Sequence, residues 1–120
     1  MSTVLIVDDV RTDRELLGKV VTACGSQPVF ASNGEEAVTR AKEVKPALVL
    51  MDVVMPGLDG FGACRRLKRQ PETASIPVVL ITSKGSETDQ FWGRKQGADD
   101  YLVKPYTADQ IKQLIKRFLP

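Results

Sequence analysis

The stretch 48-LVLMDVVMPGLDG-60 is an apolar run that ends on a carboxylate and then breaks into Pro and Gly. Four apolar residues in succession, Leu48 to Met51, without polar alternation, read as a strand covered on both faces. An ionised side chain is costly to desolvate, so Asp52 at the end of such a run calls for a reason. Working outward, comparable segments are Val4–Val7, Pro28–Ala31, Ala47–Met51, Val78–Ile81 and Tyr101–Val103. Four of these five expected strands are continuous Val/Ile/Leu-rich runs, the pattern of strands buried on both sides.

Between them the apolar period changes to that of a helix. Thr12 and Glu15 are spaced as a T-x-x-E capping box. They are expected to open a helix whose Leu16, Leu17, Val20, Val21 and Cys24 share one face and which Gly25 closes. Asn33 is placed to cap a second helix that buries Ala37, Val38, Ala41 and Val44. A third is expected from about Gly60 to Arg69, with Phe61, Cys64 and Leu67 inward. A fourth runs roughly from Glu87 to Gln96. Gly93 inside it costs about 1 kcal/mol relative to Ala, which makes this the least rigid element. Thr107 and Gln110 are spaced as a second capping box, before Ile111, Leu114, Ile115 and Phe118 at helical spacing. Strict alternation of strand and helix with short connections predicts a doubly wound parallel sheet, helices on both faces and right-handed crossovers.

Composition limits what such a fold does here. The 120 residues suit one domain, spanning 1–120, with 42% hydrophobic and 27% charged residues. A formal charge of +2 is too small to indicate nucleic acid or a membrane surface as partner. The N-terminus MSTVLIVDD has neither a basic leader nor a long hydrophobic segment, so a cytoplasmic protein without membrane insertion is expected. Cys24 and Cys64 form no CxxC and the chain has no His, so both read as reduced structural thiols.

In an open parallel sheet, ligands bind beyond the carboxyl ends of the strands. Asp8 and Asp9 follow the first expected strand, Asp52 ends the third, Thr82 the fourth and Lys104 the fifth. Taken singly, an acid at a strand end is as readily a cap for the next helix or turn. Five polar groups at successive strand ends converge on one edge instead. Three carboxylates gathered there repel one another unless they share a cation, and an all-oxygen set suits a hard ion such as Mg²⁺. Asp52 beside such a cation, with Lys104 and the Thr82 hydroxyl opposite, is placed to attack phosphorus.

The segments 4-VLIVDD-9, 50-LMDVVMPGLDGF-61, 80-LITSK-84 and 97-GADDYLVKP-105 together resemble the receiver domains of bacterial two-component response regulators, along essentially the whole chain. The resemblance implies a flavodoxin-like fold with strand order 2-1-3-4-5 and five helices. It implies Asp52 as phosphoacceptor for a histidine kinase. Asp8, Asp9 and Asp52 would ligate Mg²⁺ together with the backbone carbonyl of Val54. Thr82, Tyr101 and Lys104 would respond to the phosphoryl group, and a cis peptide would precede Pro105. Within the family, 87-ETDQFWGRKQGADDYLVKP-105 is most similar to the small stand-alone, chemotaxis-like regulators of type IV pili and twitching motility. The chain stops after the fifth expected helix, so no output domain is expected and the protein is expected to be a monomer.

Phe91 and Trp92 are adjacent and cannot both face a core from one helix. One buried and one half-covered is the expectation, and an aromatic anchor on a partner-binding face is the alternative. That face would be formed by the fourth helix, fifth strand and fifth helix, with Phe91, Trp92, Tyr101 and Lys112 as its candidate residues. Val54 has no side-chain hydrogen bond with which to position an attacking water, whereas Lys84 has one. Two functions compete: a switch that binds a target protein according to its phosphorylation, and a phosphate sink that drains a shared kinase. A metal-dependent phosphohydrolase is disfavoured because Asp52 is followed by Val-Val and leaves no general acid two residues on. Flavin binding is disfavoured because no Ser/Thr/Gly-rich phosphate loop follows the first strand.

Overall fold

The computed structural model describes residues 2–119, so Met1 and Pro120 lie outside the described residues. Its elements run β1 (Thr3–Val7), α1 (Arg11–Ala23), β2 (Gln27–Ala31), α2 (Gly34–Val44), β3 (Leu48–Met51), α3 (Gly60–Arg69), β4 (Val78–Thr82), α4 (Glu87–Lys95), β5 (Asp100–Val103) and α5 (Ala108–Phe118). All five strands are parallel, in the order β2-β1-β3-β4-β5, as expected for the doubly wound, flavodoxin-like sheet. Every expected strand is present, displaced by one residue at most at either end.

Period-2 alternation in the central strands divides the core in two. Leu5, Val7, Val49, Met51, Val78 and Leu80 pack on one face against Ala37, Ala41, Ala63, Cys64 and Leu67. Val4, Ile6, Leu48, Leu50, Val79 and Ile81 pack on the other against Leu17, Val21, Ile111, Leu114 and Ile115. Cys64 and Cys24 belong to opposite faces and both are free thiols. Burial on both faces is complete in β3 and β4 and, past Thr3, in β1; the edge strands β2 and β5 are half-covered, and Phe30 of β2 is exposed. Strands at a sheet edge lack a neighbour on one side, so an apolar run there does not guarantee burial.

The first helix begins differently from expectation. Its N-cap is Val10, with no side-chain cap; the Asp8 carboxylate accepts the Val10 N–H at 2.9 Å instead. Glu15 is taken by an ion pair with Arg11 at 2.9 Å, so the Thr12/Glu15 capping box does not form. Leu16, expected inward, is 58% exposed, because the apolar stripe runs through Leu17 and Val21. The other two expected N-caps form. The Asn33 side chain accepts from Glu36 N, and Thr107 and Gln110 form both halves of their box. Gly25, at φ +86°, follows the C-cap of α1.

Helix α4 departs from expectation at its aromatic pair. Phe91 is 65% and Trp92 49% exposed, so neither is buried. The residue of α4 that is buried is Gly93. A Cβ there would lie 2.9 Å from the Tyr101 ring and 3.2 Å from Leu80 Cδ1, so the glycine lets helix and strand approach closely rather than merely loosening the helix.

Candidate functional site

Strand register fixes the site before any side chain is considered. Val7 pairs with Met51 across β1 and β3, so the next residues, Asp8 and Asp52, stand side by side. Met51 pairs with Leu80 and Thr82 with Val103, which places the Thr82 hydroxyl and Lys104 at the same edge. The sheet order reverses direction between β1 and β3, the switch point at which open α/β sheets bind ligands. Gly60 admits the start of α3 beside this edge: a Cβ on it would lie 2.7 Å from Val53 Cα, a distance the backbone does not tolerate.

Carboxylate oxygens of Asp8, Asp9 and Asp52 all lie within 4.8 Å of one another. Asp8 and Asp52 are buried and Asp9 is exposed. The Lys104 ammonium donates to Asp8 Oδ2 at 3.1 Å, Asp52 Oδ2 at 3.1 Å and Asp13 Oδ2 at 3.2 Å. Burial by itself would lower the Lys104 pKa, but its hydrogen bonds to Asp8 and Asp52 outweigh that and hold it above the ordinary lysine range. Asp8 is pushed up, by burial first, against the opposing pull of the Val10 N–H and Lys104. Four carboxylates face one ammonium. That excess of negative charge, in an all-oxygen donor set open to water through Asp9, fits a hard divalent cation.

Around this centre the Asp52 Oδ1 accepts from Val54 N at 3.2 Å, while the Val54 side chain points outward, 54% exposed. Thr82 is completely buried, and its hydroxyl accepts from Lys84 N at 3.3 Å. The Lys84 ammonium turns to Asp89, at 3.9 Å, rather than into the site. Tyr101 is buried against Gly93, and its hydroxyl donates to the Lys84 carbonyl at 2.6 Å. One segment, 82–84, therefore joins the site threonine to the tyrosine of β5.

Not all expected site residues come together. Tyr101 lies beneath α4 rather than on an open surface. Lys112 lines a groove with Ala23, Cys24, Ile115, Lys116 and Leu119 on the α1 side of α5. The groove toward β5 is lined by Asp100, Leu102, Gln110, Gln113, Leu114 and Arg117, so Lys112 does not join Phe91 and Trp92. Two residues that the sequence reading passed over do reach the site. Asp13, from the first turn of α1, is the third partner of Lys104, and Tyr106 lines the cleft with Asp8, Asp13, Asp52 and Lys104. Neither ends a strand, which is the signal that found the others.

Comparison with known proteins agrees with this geometry. Residues 4–116 match the response regulator receiver domain family. Protein PilH of Pseudomonas aeruginosa is 44% identical over 119 residues, covering 99% of this chain and 98% of that protein. The phosphate regulon transcriptional regulatory protein PhoB of the same organism is 36% identical, and this chain spans about half of its length, 51%. Among solved structures, the chemotaxis protein CheY4 of Vibrio cholerae superposes with a TM-score of 0.92 at 27% identity over 99% of both chains. A response regulator from Chloroflexus aurantiacus superposes with a TM-score of 0.93 at 34% identity, over 98% of this chain and 97% of that one. With its strand order, its cluster of acids at the β1–β3 switch point and its lysine after β5, this chain belongs to the response regulator receiver domain family.

Proposed function

We propose that the chain is a single-domain response regulator, spanning 1–120, that accepts a phosphoryl group on Asp52 from a histidine kinase and signals by binding a protein target according to its phosphorylation state. The observation that carries the reading is the Lys104 ammonium 3.1 Å from Asp52, with oxygens of Asp8 and Asp9 within 4.8 Å of that carboxylate. An Asp52 oxygen attacks phosphorus, an O–P bond forms as the donor's N–P bond breaks, and the departing imidazole nitrogen takes up a proton. Water later attacks the same phosphorus, releasing inorganic phosphate and restoring the carboxylate. Asp8, Asp9, Asp52 and the Val54 carbonyl would hold Mg²⁺, which when bound neutralises charge developing on the transferred group. Lys104 supplies a fixed positive charge from the other side.

Thr82 and Tyr101 form the switch. The Thr82 hydroxyl is drawn toward phosphoryl oxygen, and the 82–84 segment carries that movement to the Tyr101 hydroxyl. Phe91 and Trp92 are exposed on α4, the helix whose Gly93 meets the Tyr101 ring, which supports α4 with β5 as the target-binding face. The resemblance of residues 87–105 to the small stand-alone regulators of type IV pili and twitching motility, with full-length similarity to PilH, supports a role in that control; the proposed protein acts in the cytoplasm as a monomer. Among the described residues no helix is long and apolar enough to cross a membrane.

The test is labelling by acetyl phosphate with Mg²⁺. Label on Asp52 that is abolished by Asp52→Asn is the expected result; label persisting in that variant overturns the assignment. Pull-downs with and without beryllofluoride then separate switch from phosphate sink, since only a switch gains or loses a partner.

A further inference from the structure

An ammonium has three N–H donors, and in Lys104 each has a carboxylate: Asp8, Asp52 and Asp13 at 3.1, 3.1 and 3.2 Å. Asp8 and Asp52 belong to the strand-end cluster. Asp13 does not. It comes from the first turn of α1, its side chain is 44% exposed, and Lys104 is its ion-pair partner among the described residues. It also lines an open groove with Leu16, Ser83, Lys104, Pro105 and Tyr106, on the α1 side of the ammonium.

A phosphoryl group arriving on Asp52 brings several oxygens to Lys104, and two of the three ammonium donors are held by the other carboxylates, Asp8 and Asp13. We infer that Asp13 is a positioning residue acting through Lys104: it holds the ammonium toward α1 and competes with the anion on Asp52 for one of its donors, loosening the site's hold on the phosphoryl group. The inference rests on the phosphoacceptor role proposed for Asp52. Of the three partners, Asp13 is the one that water can solvate on release, so it is the one that gives way, and the exchange sets how tightly the anion is held.

Structural damage weakens ligand binding, whereas release of a competitor strengthens it, so the sign of the effect decides. Beryllofluoride binding is titrated by fluorine NMR at saturating Mg²⁺ for the wild type, Asp13→Asn and Asp13→Glu. Asp13→Asn is expected to bind about twofold to fivefold tighter, the span of an ion pair of this exposure. Asp13→Glu returns the affinity to that of the wild type. Unchanged or weaker binding by Asp13→Asn, or a Glu variant that behaves like Asn, overturns the inference alone. Failure of the wild type itself to bind beryllofluoride overturns the phosphoacceptor reading and this inference with it.

Discussion

Among the described residues, Asp9 differs from its neighbours in pairing with no ammonium. Lys104 compensates Asp8 and Asp52, and the exposed Asp9 adds its charge to theirs without relief. Asp9→Ala is therefore expected to stabilise the metal-free protein by something like 1 kcal/mol, the scale of like charges partly screened by water, and to weaken Mg²⁺ binding. Melting curves in EDTA and in Mg²⁺ check both; a lower melting temperature in EDTA contradicts the shared-cation picture. Tyr101 carries a pH signature of its own. Burial pushes its phenol up from 10.0 to about 12, with Asp89 and Asp52 adding to the shift. The folded state then holds a proton that the unfolded chain has already lost, so stability falls as pH rises from about 10 to about 12. Tyr101→Phe is expected to flatten that part of the stability profile, measured by denaturant melts across the range.

At the scale of elements, caps distinguish a motif from a formed interaction. The Thr107 side chain accepts from Gln110 N at 3.2 Å and the box is complete, so Thr107→Ala is expected to cost about 1 kcal/mol. Thr12 has the same T-x-x-[EQ] spacing without the bonds, and Thr12→Ala is expected to stay within about 0.5 kcal/mol. Denaturation of the two variants side by side tests the contrast. Gly93 is the second case. Alanine is the better helix former by about 1 kcal/mol, but its Cβ would meet a ring whose hydroxyl is tied to the Lys84 carbonyl. Overpacking of this kind costs about 1–3 kcal/mol, so Gly93→Ala is expected to destabilise by about 1 kcal/mol net, where propensity taken alone predicts a gain.

Across the whole molecule, the site and α4 are joined through the 82–84 segment and Tyr101. Trp92, half-exposed on α4 and the chain's only tryptophan, reports on that connection. Beryllofluoride with Mg²⁺ is expected to change its fluorescence, and Thr82→Ala to reduce the change with little effect on Mg²⁺ affinity. No spectral response in protein that binds beryllofluoride would remove α4 from the switch. What the sequence by itself determined is what depends on chain-local chemistry: five apolar runs alternating with helical periods give the parallel sheet, and polar residues placed just past those runs must gather at one edge because every strand points the same way. Asp8, Asp9, Asp52, Thr82 and Lys104 were legible for that reason. Tertiary structure alone decided what depends on the angular position of a helix against the sheet. It turned Leu16 outward, bared both Phe91 and Trp92 while burying Gly93, sent Lys112 to the α1 side, and brought Asp13 to Lys104. Helical period says which residues share a stripe, but packing against a twisted sheet decides which stripe is covered and where each helix end lies relative to the strand ends.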